Sequence, residues 1–206
     1  ASATVWVLNN PTVSITGSSG LCIDGTSTLS PTTGGTWVSD NLTVATVTNA
    51  GVVTAVGAGQ ARFTFTTTAT GCSAQTGAIL VNPKPTVSAA NDTICVGSST
   101  TISPALTVGT TWVNHSPDTV SMTGAPTKTV TGLEAGRARL VFQANTGCKS
   151  DTLFVQVLPR PAVNITGFPF ICAGSTTTLS PTTGGTWASS DPGVATVNNA
   201  GVVTGV

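Results

Sequence analysis

Short runs of alternating apolar and polar residues occur throughout this chain, separated by turns rich in Gly, Pro, Asn and Ser. In the clearest runs, Phe63 and Phe65 alternate with polar residues, and Leu140 and Phe142 stand in the same pattern. A period of two is typical of a strand with one buried and one solvated face. We therefore predict an all-β protein. In its first part the predicted strands are 12–16, 27–30, 36–39, 44–48, 52–56, 61–67 and 78–81.

The pattern repeats along the chain. The segment from Leu29 to Trp37 returns letter for letter from Leu179 to Trp187, and residues 15–56 and 165–206 align without a gap, with 27 of 42 positions identical. A looser copy carries Trp112, so a tryptophan recurs every 75 residues. Such a period predicts small units in tandem. We predict the last strand of a preceding repeat in 1–10, then repeat 1 in 11–83, a divergent repeat 2 in 84–160 and a truncated repeat 3 in 161–206.

Seven short strands per unit are typical of an immunoglobulin-like (Ig-like) β-sandwich. Trp37, Trp112 and Trp187 occupy the same position in each unit, which favours core aromatic residues. The linkers Pro83–Pro85 and Pro159–Pro161 each place one residue between two prolines, which restricts the backbone to extended geometry. We therefore predict tandem sandwiches arranged end to end.

Composition excludes several classes of function. Only 7% of the residues are charged and the net charge is zero, so we expect no nucleic-acid partner. No apolar run reaches the roughly 18 residues that span a bilayer, so we expect no membrane insertion by this segment. The single histidine, His115, and the single glutamate, Glu134, are too few for an active site or a metal centre. We expect no enzyme activity, no metal and no cofactor.

The five cysteines follow the repeat. Cys22, Cys95 and Cys172 each precede a Thr-rich run, while Cys72 and Cys148 lie in matching Thr-Gly-Cys turns. We predict bridges Cys22–Cys72 and Cys95–Cys148, with Cys172 unpaired in this segment; buried free thiols are the alternative. A closed loop of about 50 residues gives each bridge about 4 kcal/mol in the chain-entropy model. Disulfides indicate an extracytoplasmic location.

Residues 37–59, followed by the alternating run 61–65, closely resemble the bacterial Ig-like domain of group 2, and 187–204 match it equally well. The matching pattern is Trp, a Ser/Asp/Asn turn, Val-Ala-Thr-Val, a Gly turn and Val-Thr. The resemblance implies a non-catalytic surface protein of the adhesin kind, in which repeats extend and display an adhesive region and contact neighbouring repeats of the same chain.

Three Asp-Thr-apolar triplets, centred on Thr93, Thr119 and Thr152, match an O-glycosylation signal of Bacteroidota. Thr-rich repeats with paired cysteines are also similar to those of very large surface adhesins in gliding members of that phylum. This second resemblance implies a glycoprotein at the outer membrane, exported by type IX secretion and involved in cell adhesion and gliding motility.

Other interpretations stay open. The tryptophans could bind carbohydrate, and the loops of repeat 2 or exposed Thr arrays could bind glycans or ice. Surface glycans or abiotic surfaces could also be bound through other regions, and the chain could be the spacer of a secreted enzyme. Calcium could bind Asp24, Asp40 or Asp191 with turn carbonyls. Residues 4–8 could complete the third repeat of another copy by donor-strand pairing.

Overall fold

The computed structural model describes residues 3–206, and every regular element in that range is a β-strand. No helix among the described residues is long and apolar enough to cross a membrane. The chain divides into two compact units, of which the first ends at Val157 and the second comprises Leu158–Val206.

The first ten strands form a two-layer sandwich. Their bounds are β1 (Ser14–Ile15), β2 (Gly20–Cys22), β3 (Thr26–Ser30), β4 (Gly35–Ser39), β5 (Ala45–Val47), β6 (Val52–Ala55), β7 (Gly59–Ala61), β8 (Phe63–Thr67), β9 (Ser73–Gln75) and β10 (Ile79–Asn82). One layer has the order β1-β3-β6-β5, and the other contains β2-β10-β7 and β4-β8-β9. Only Arg62 separates β7 from β8, so the two sheets of the second layer follow one another directly along the chain at this point. Within the second layer, β2 pairs with β10 in parallel.

The next eight strands repeat this arrangement. They are β11 (Ser88–Ala89), β12 (Thr93–Cys95), β13 (Ser99–Ser103), β14 (Thr111–Asn114), β15 (Val120–Thr123), β16 (Lys128–Gly132), β17 (Gly136–Gln143) and β18 (Leu153–Leu158). The layers are β11-β13-β16-β15 and β12-β18-β17-β14. This strand order confirms the predicted all-β, Ig-like sandwich class.

Each sandwich encloses its own apolar core. Trp37 on β4 and Trp112 on β14 are buried, with ring centroids 5.0 Å from Phe65 and 5.3 Å from Phe142, respectively. A buried indole N–H needs an acceptor. In both repeats the Trp Nε1 donates to the carbonyl of the proline in the preceding Ser-Pro pair, at 2.8 and 3.1 Å. The recurrent Leu-Ser-Pro…Trp segment is therefore a core anchor in these two sandwiches.

The second compact unit contains one described sheet, of order β19-β20-β22-β21. Trp187 is half-buried here, and its Nε1 donates to the Pro181 carbonyl at 3.1 Å. The strands are β19 (Asn164–Ile165), β20 (Thr176–Ser180), β21 (Ala195–Val197) and β22 (Val202–Gly205).

The structure differs from the predicted strands in two respects. Strands β2 and β9 were not predicted, because three-residue segments such as Gly-Leu-Cys and Ser-Ala-Gln are too short to show a period. Residues 4–8, predicted to be a strand, belong to no strand, and Val5, Trp6 and Val7 are exposed.

Candidate functional site: the junction of the first two repeats

One disulfide joins the two sandwiches of the first unit. Cys22, at the end of β2, bonds Cys148, in the turn that connects β17 to β18, with 5.5 Å between the Cα atoms. The two residues are 126 positions apart in the chain. Cys148 is fully buried and Cys22 is half-buried. The bridge therefore crosses from repeat 1 to repeat 2 and is shielded from solvent on one side.

This pairing corrects the predicted bridges Cys22–Cys72 and Cys95–Cys148, neither of which is formed in the structure. Cys22 lies beside Asn82, since β2 and β10 are in parallel register there. Cys72 lies ten residues before Asn82, at the start of the same extended segment. At about 3.3 Å per residue, the two cysteines of repeat 1 lie roughly 30 Å apart. A disulfide requires Cα atoms within about 7 Å.

The linker residue Lys84 supplies an electrostatic link at the same junction. Its ammonium forms ion pairs with Asp151 of repeat 2, within hydrogen-bonding distance, and with Asp24 of repeat 1 at 3.9 Å. The hydrogen bond that Lys84 donates to Asp151 raises the pKa of Lys84, partial desolvation opposes this rise, and the negative charges of Asp151 and Asp24 add to it. Lys84 is therefore held in its charged form between the two repeats.

Asp24 has an unusual backbone conformation. Its φ of 71° lies in the left-handed region, where it is the only residue other than glycine among those described. The equivalent residues of the other repeats are Gly97 and Gly174, with φ of 84° and 78°. A side chain in this conformation costs free energy. Repeat 1 thus carries a carboxylate at a position where the other two repeats have glycine, which adopts this conformation without strain. The Asp24 carboxylate faces Lys84.

The carboxylates of the other two candidate calcium ligands each accept a backbone hydrogen bond. Asp40 Oδ1 accepts the Arg62 N–H at 2.8 Å, and Asp191 Oδ1 accepts the Gly193 N–H at 3.0 Å. Within residues 3–206, no group of three or more His, Cys, Asp or Glu side chains is placed to hold a metal ion. His115 lies exposed in the turn after β14.

The three candidate glycosylation residues differ in accessibility. Thr93 is exposed on β12, and its hydroxyl lies 3.2 Å from the Asp92 carboxylate. Thr119 and Thr152 are half-buried, and Thr152 directly follows Asp151 at the junction. Thr93 is therefore the threonine of the three that an enzyme reaches most easily.

The remaining cysteines are reduced and distributed over the molecule. Cys72 is half-buried in the turn between β8 and β9, Cys95 is exposed at the end of β12, and Cys172 is exposed before β20. The site as a whole offers a covalent cross-link and an ion-pair cluster. Both features hold the two sandwiches of the first unit in a fixed arrangement. Sequence reasoning missed Lys84, although a charged residue between two prolines was a visible signal.

No protein-family model matches the chain, and no curated protein sequence matches it. Similar solved structures include domains 4 and 5 of the S-layer protein SbsC, with a TM-score of 0.31, 15% identity and coverage of 72% of this chain and 98% of that one. The C-terminal fragment of intimin in complex with the translocated intimin receptor has a TM-score of 0.46 and 10% identity, covering 77% and 67%. Invasin, described as a bacterial integrin-binding protein, has a TM-score of 0.39 and 19% identity, covering 94% and 53%.

Proposed function

We propose that the chain is a segment of a non-catalytic, extracellular stalk built of Ig-like repeats, which holds an adhesive region away from a bacterial cell surface. The Cys22–Cys148 bridge is the observation that carries this proposal, because it resists separation of two neighbouring repeats. The repeat boundaries 11–83, 84–160 and 161–206 are part of the proposal. Low charge and a hydroxyl-rich surface fit an exported chain that avoids nonspecific association.

The bridge gives the stalk a specific mechanical property. When the ends of the chain are pulled, force passes through the disulfide, so the 126-residue segment that it closes cannot be extended. A fully extended chain spans about 3.3–3.6 Å per residue. The bridge therefore reduces the contour length that pulling can release by roughly 420–450 Å. At low force, the ion pairs of Lys84 with Asp24 and Asp151 also help to hold the two repeats together.

Single-molecule pulling tests this property. The oxidised chain should release roughly 420–450 Å less contour length than the same chain after reduction with a phosphine. A Cys22→Ala/Cys148→Ala double variant should behave like the reduced chain in both conditions, and Cys95→Ser, which leaves the bridge intact, should behave like the native chain. Equal extension before and after reduction of the native chain would refute the stalk mechanism.

The cellular role needs a separate experiment. We propose a surface location in a gliding member of the Bacteroidota, with export by type IX secretion. Protease treatment of intact cells should remove the repeats, and deletion of the gene should reduce attachment and gliding. Repeats that are protected until the cells are lysed would contradict the surface location.

We further propose that Thr93 is O-glycosylated and that Thr119 and Thr152 are weaker acceptors. The exposure of Thr93 on β12 supports this order. Intact mass of the protein from its native host should exceed the polypeptide mass, and Thr93→Ala should remove most of the excess. A mass equal to that of the polypeptide would contradict the proposal.

A further inference from the structure

The three unpaired cysteines are repeat equivalents of the two that are bonded. Cys95 and Cys172 occupy the position of Cys22, and Cys72 occupies that of Cys148 in a Thr-Gly-Cys turn. Because residues at equivalent positions are bonded in the same molecule, each thiol has a structural precedent for its partner. The bonded pair links the first cysteine of one repeat to the second cysteine of the repeat that follows.

We propose that this pairing is one step of a disulfide ladder along the array. In the ladder, the first cysteine of every repeat bonds the second cysteine of the next repeat. The partner of Cys95 is then the Thr-Gly-Cys cysteine of the following Ig-like repeat. The partner of Cys72 is the Cys22-equivalent cysteine of the repeat before it.

Local structure at the cysteines supports the ladder. Cys22 ends β2 opposite Asn82, which directly precedes the linker Pro83–Pro85. Cys95 ends β12 in the same layer position beside β18, which directly precedes Pro159–Pro161. Both first cysteines therefore lie at the exit of their sandwich, next to a Pro-x-Pro linker. Cys72 and Cys148, in the Thr-Gly-Cys turns, precede the chain segments that end in β10 and β18, and so lie at the opposite end of each sandwich from the linker.

Exposure also fits this assignment. Cys95 is exposed whereas its bonded equivalent Cys22 is half-buried, and Cys72 is half-buried whereas its bonded equivalent Cys148 is fully buried. The linker cation repeats as Arg160 between Pro159 and Pro161, whereas the Asp24 carboxylate does not repeat, since Gly97 stands at its position. In the ladder the disulfide is therefore the constant element of each junction, and the Asp24 carboxylate is specific to the first one.

Bond formation requires a disulfide donor, such as a thiol-disulfide oxidoreductase of the cell envelope or oxidised glutathione. One cysteine thiolate attacks the donor disulfide and forms a mixed disulfide, which releases the first donor thiol. The second thiolate then attacks the cysteine sulfur of the mixed disulfide. The two cysteines lose two electrons and two protons in total, and the donor leaves as two thiols.

The ladder can be tested with a fusion of the chain to part of itself. Residues 15–56 and 165–206 align without a gap, so a second copy of residues 57–206 appended after Val206 completes repeat 3 in register. The fusion contains nine cysteines: the five of the chain and second copies of Cys72, Cys95, Cys148 and Cys172. Oxidation with glutathione disulfide, followed by thiol labelling and peptide mapping, identifies each pair.

The pairing rules give different results in the fusion. The ladder predicts bonds Cys22–Cys148, Cys95 to the added copy of Cys72, and Cys172 to the added copy of Cys148, which leaves three thiols. Bridges within repeats would leave one thiol, and a bond unique to the Cys22 type of junction would leave five. Either of those counts overturns the proposal. In a Cys95→Ser fusion, the added copy of Cys72 should become reactive, whereas Cys72→Ser of the original residue should change no bond.

Two measurements on existing protein keep the test decisive if the fusion folds poorly. The 206-residue chain should contain a Cys22–Cys148 peptide and three thiols, and a Cys95–Cys148 peptide would overturn the ladder. In protein from the native host, Cys95 should be bonded to a Thr-Gly-Cys-type peptide, and a free Cys95 thiol there would overturn it as well. Because these outcomes concern connectivity alone, they are independent of whether the stalk function holds.

Discussion

The stability contributed by the Cys22–Cys148 bridge can be worked out from the length of chain that it closes. The bridge closes a segment of 126 residues, most of both sandwiches. In the chain-entropy model, a loop of this length raises the free energy of unfolding by about 5 kcal/mol at 25 °C. A typical domain has a total stability of about 5–15 kcal/mol, so loss of the bridge should be a major change.

The decisive observation is the pattern across variants, because bridges within repeats would contribute a similar amount each. Cys22→Ala and Cys148→Ala should each lower the free energy of unfolding by about 5 kcal/mol, and the double variant should lose no more than either single one. Cys72→Ser and Cys95→Ser should change it by less than about 0.5 kcal/mol. Alanine is the replacement at Cys148 because a serine hydroxyl would be buried there.

The assay is urea unfolding of the oxidised protein, followed by fluorescence of the buried Trp37 and Trp112. Native protein treated with reductant provides the matched control, since it should unfold at the same urea concentration as the double variant. Two results would refute the reasoning: a Cys72→Ser loss as large as that of Cys22→Ala, or a double variant that loses twice as much as the single ones. Both are expected if each repeat carries its own bridge.

Three further variants test other parts of the structure. Asp24→Gly should raise the free energy of unfolding by up to about 1 kcal/mol, since glycine has no penalty at a φ of 71° and the ion pair to Lys84 is exposed and long; a lower urea midpoint would contradict this. Lys84→Gln should lower the melting temperature at about pH 8, whereas the difference from native protein should shrink as the pH is raised above 10.5. The raised pKa means that the contribution of Lys84 is complete below the ordinary value of 10.5 and is lost as pH rises through the folded value; a difference constant over this range would count against the ion pairs. Gly35→Ala should destabilise repeat 1 by about 1–3 kcal/mol, because its Cβ would approach the Thr66 carbonyl oxygen and the Phe65 ring, whereas Gly185→Ala, in the identical nine-residue segment of repeat 3, meets nothing within 4 Å and should be neutral in the same urea assay.

The errors in the predicted bridges have a structural cause. The missed strand β2 ends at Cys22, and the missed strand β9 begins directly after Cys72. Both strands are three residues long, and β2 pairs with a strand about 60 residues away, so neither leaves a period in the sequence. Without these two strands, the sequence does not place the two cysteines of repeat 1 in the sandwich, and it gives no sign that they are far apart. Once β2 is set beside β10, Cys22 and Cys72 fall at opposite ends of one extended segment.

The tandem repetition, the all-strand character and the position of the core can be predicted from the sequence. Alternation at Phe63 and Phe65 predicts burial that the structure shows, because a strand exposes alternate side chains to opposite faces. Which repeats the disulfide joins cannot be predicted from the sequence, and it becomes visible in the folded structure. A periodic sequence gives the same spacing whether a cysteine pairs within its repeat or with the next one. The pairing of a cysteine depends on which ends of the sandwiches meet. The contacts of Cys22 with Cys148 and of Lys84 with Asp151 join residues far apart in the chain, and sequence periodicity does not show such contacts.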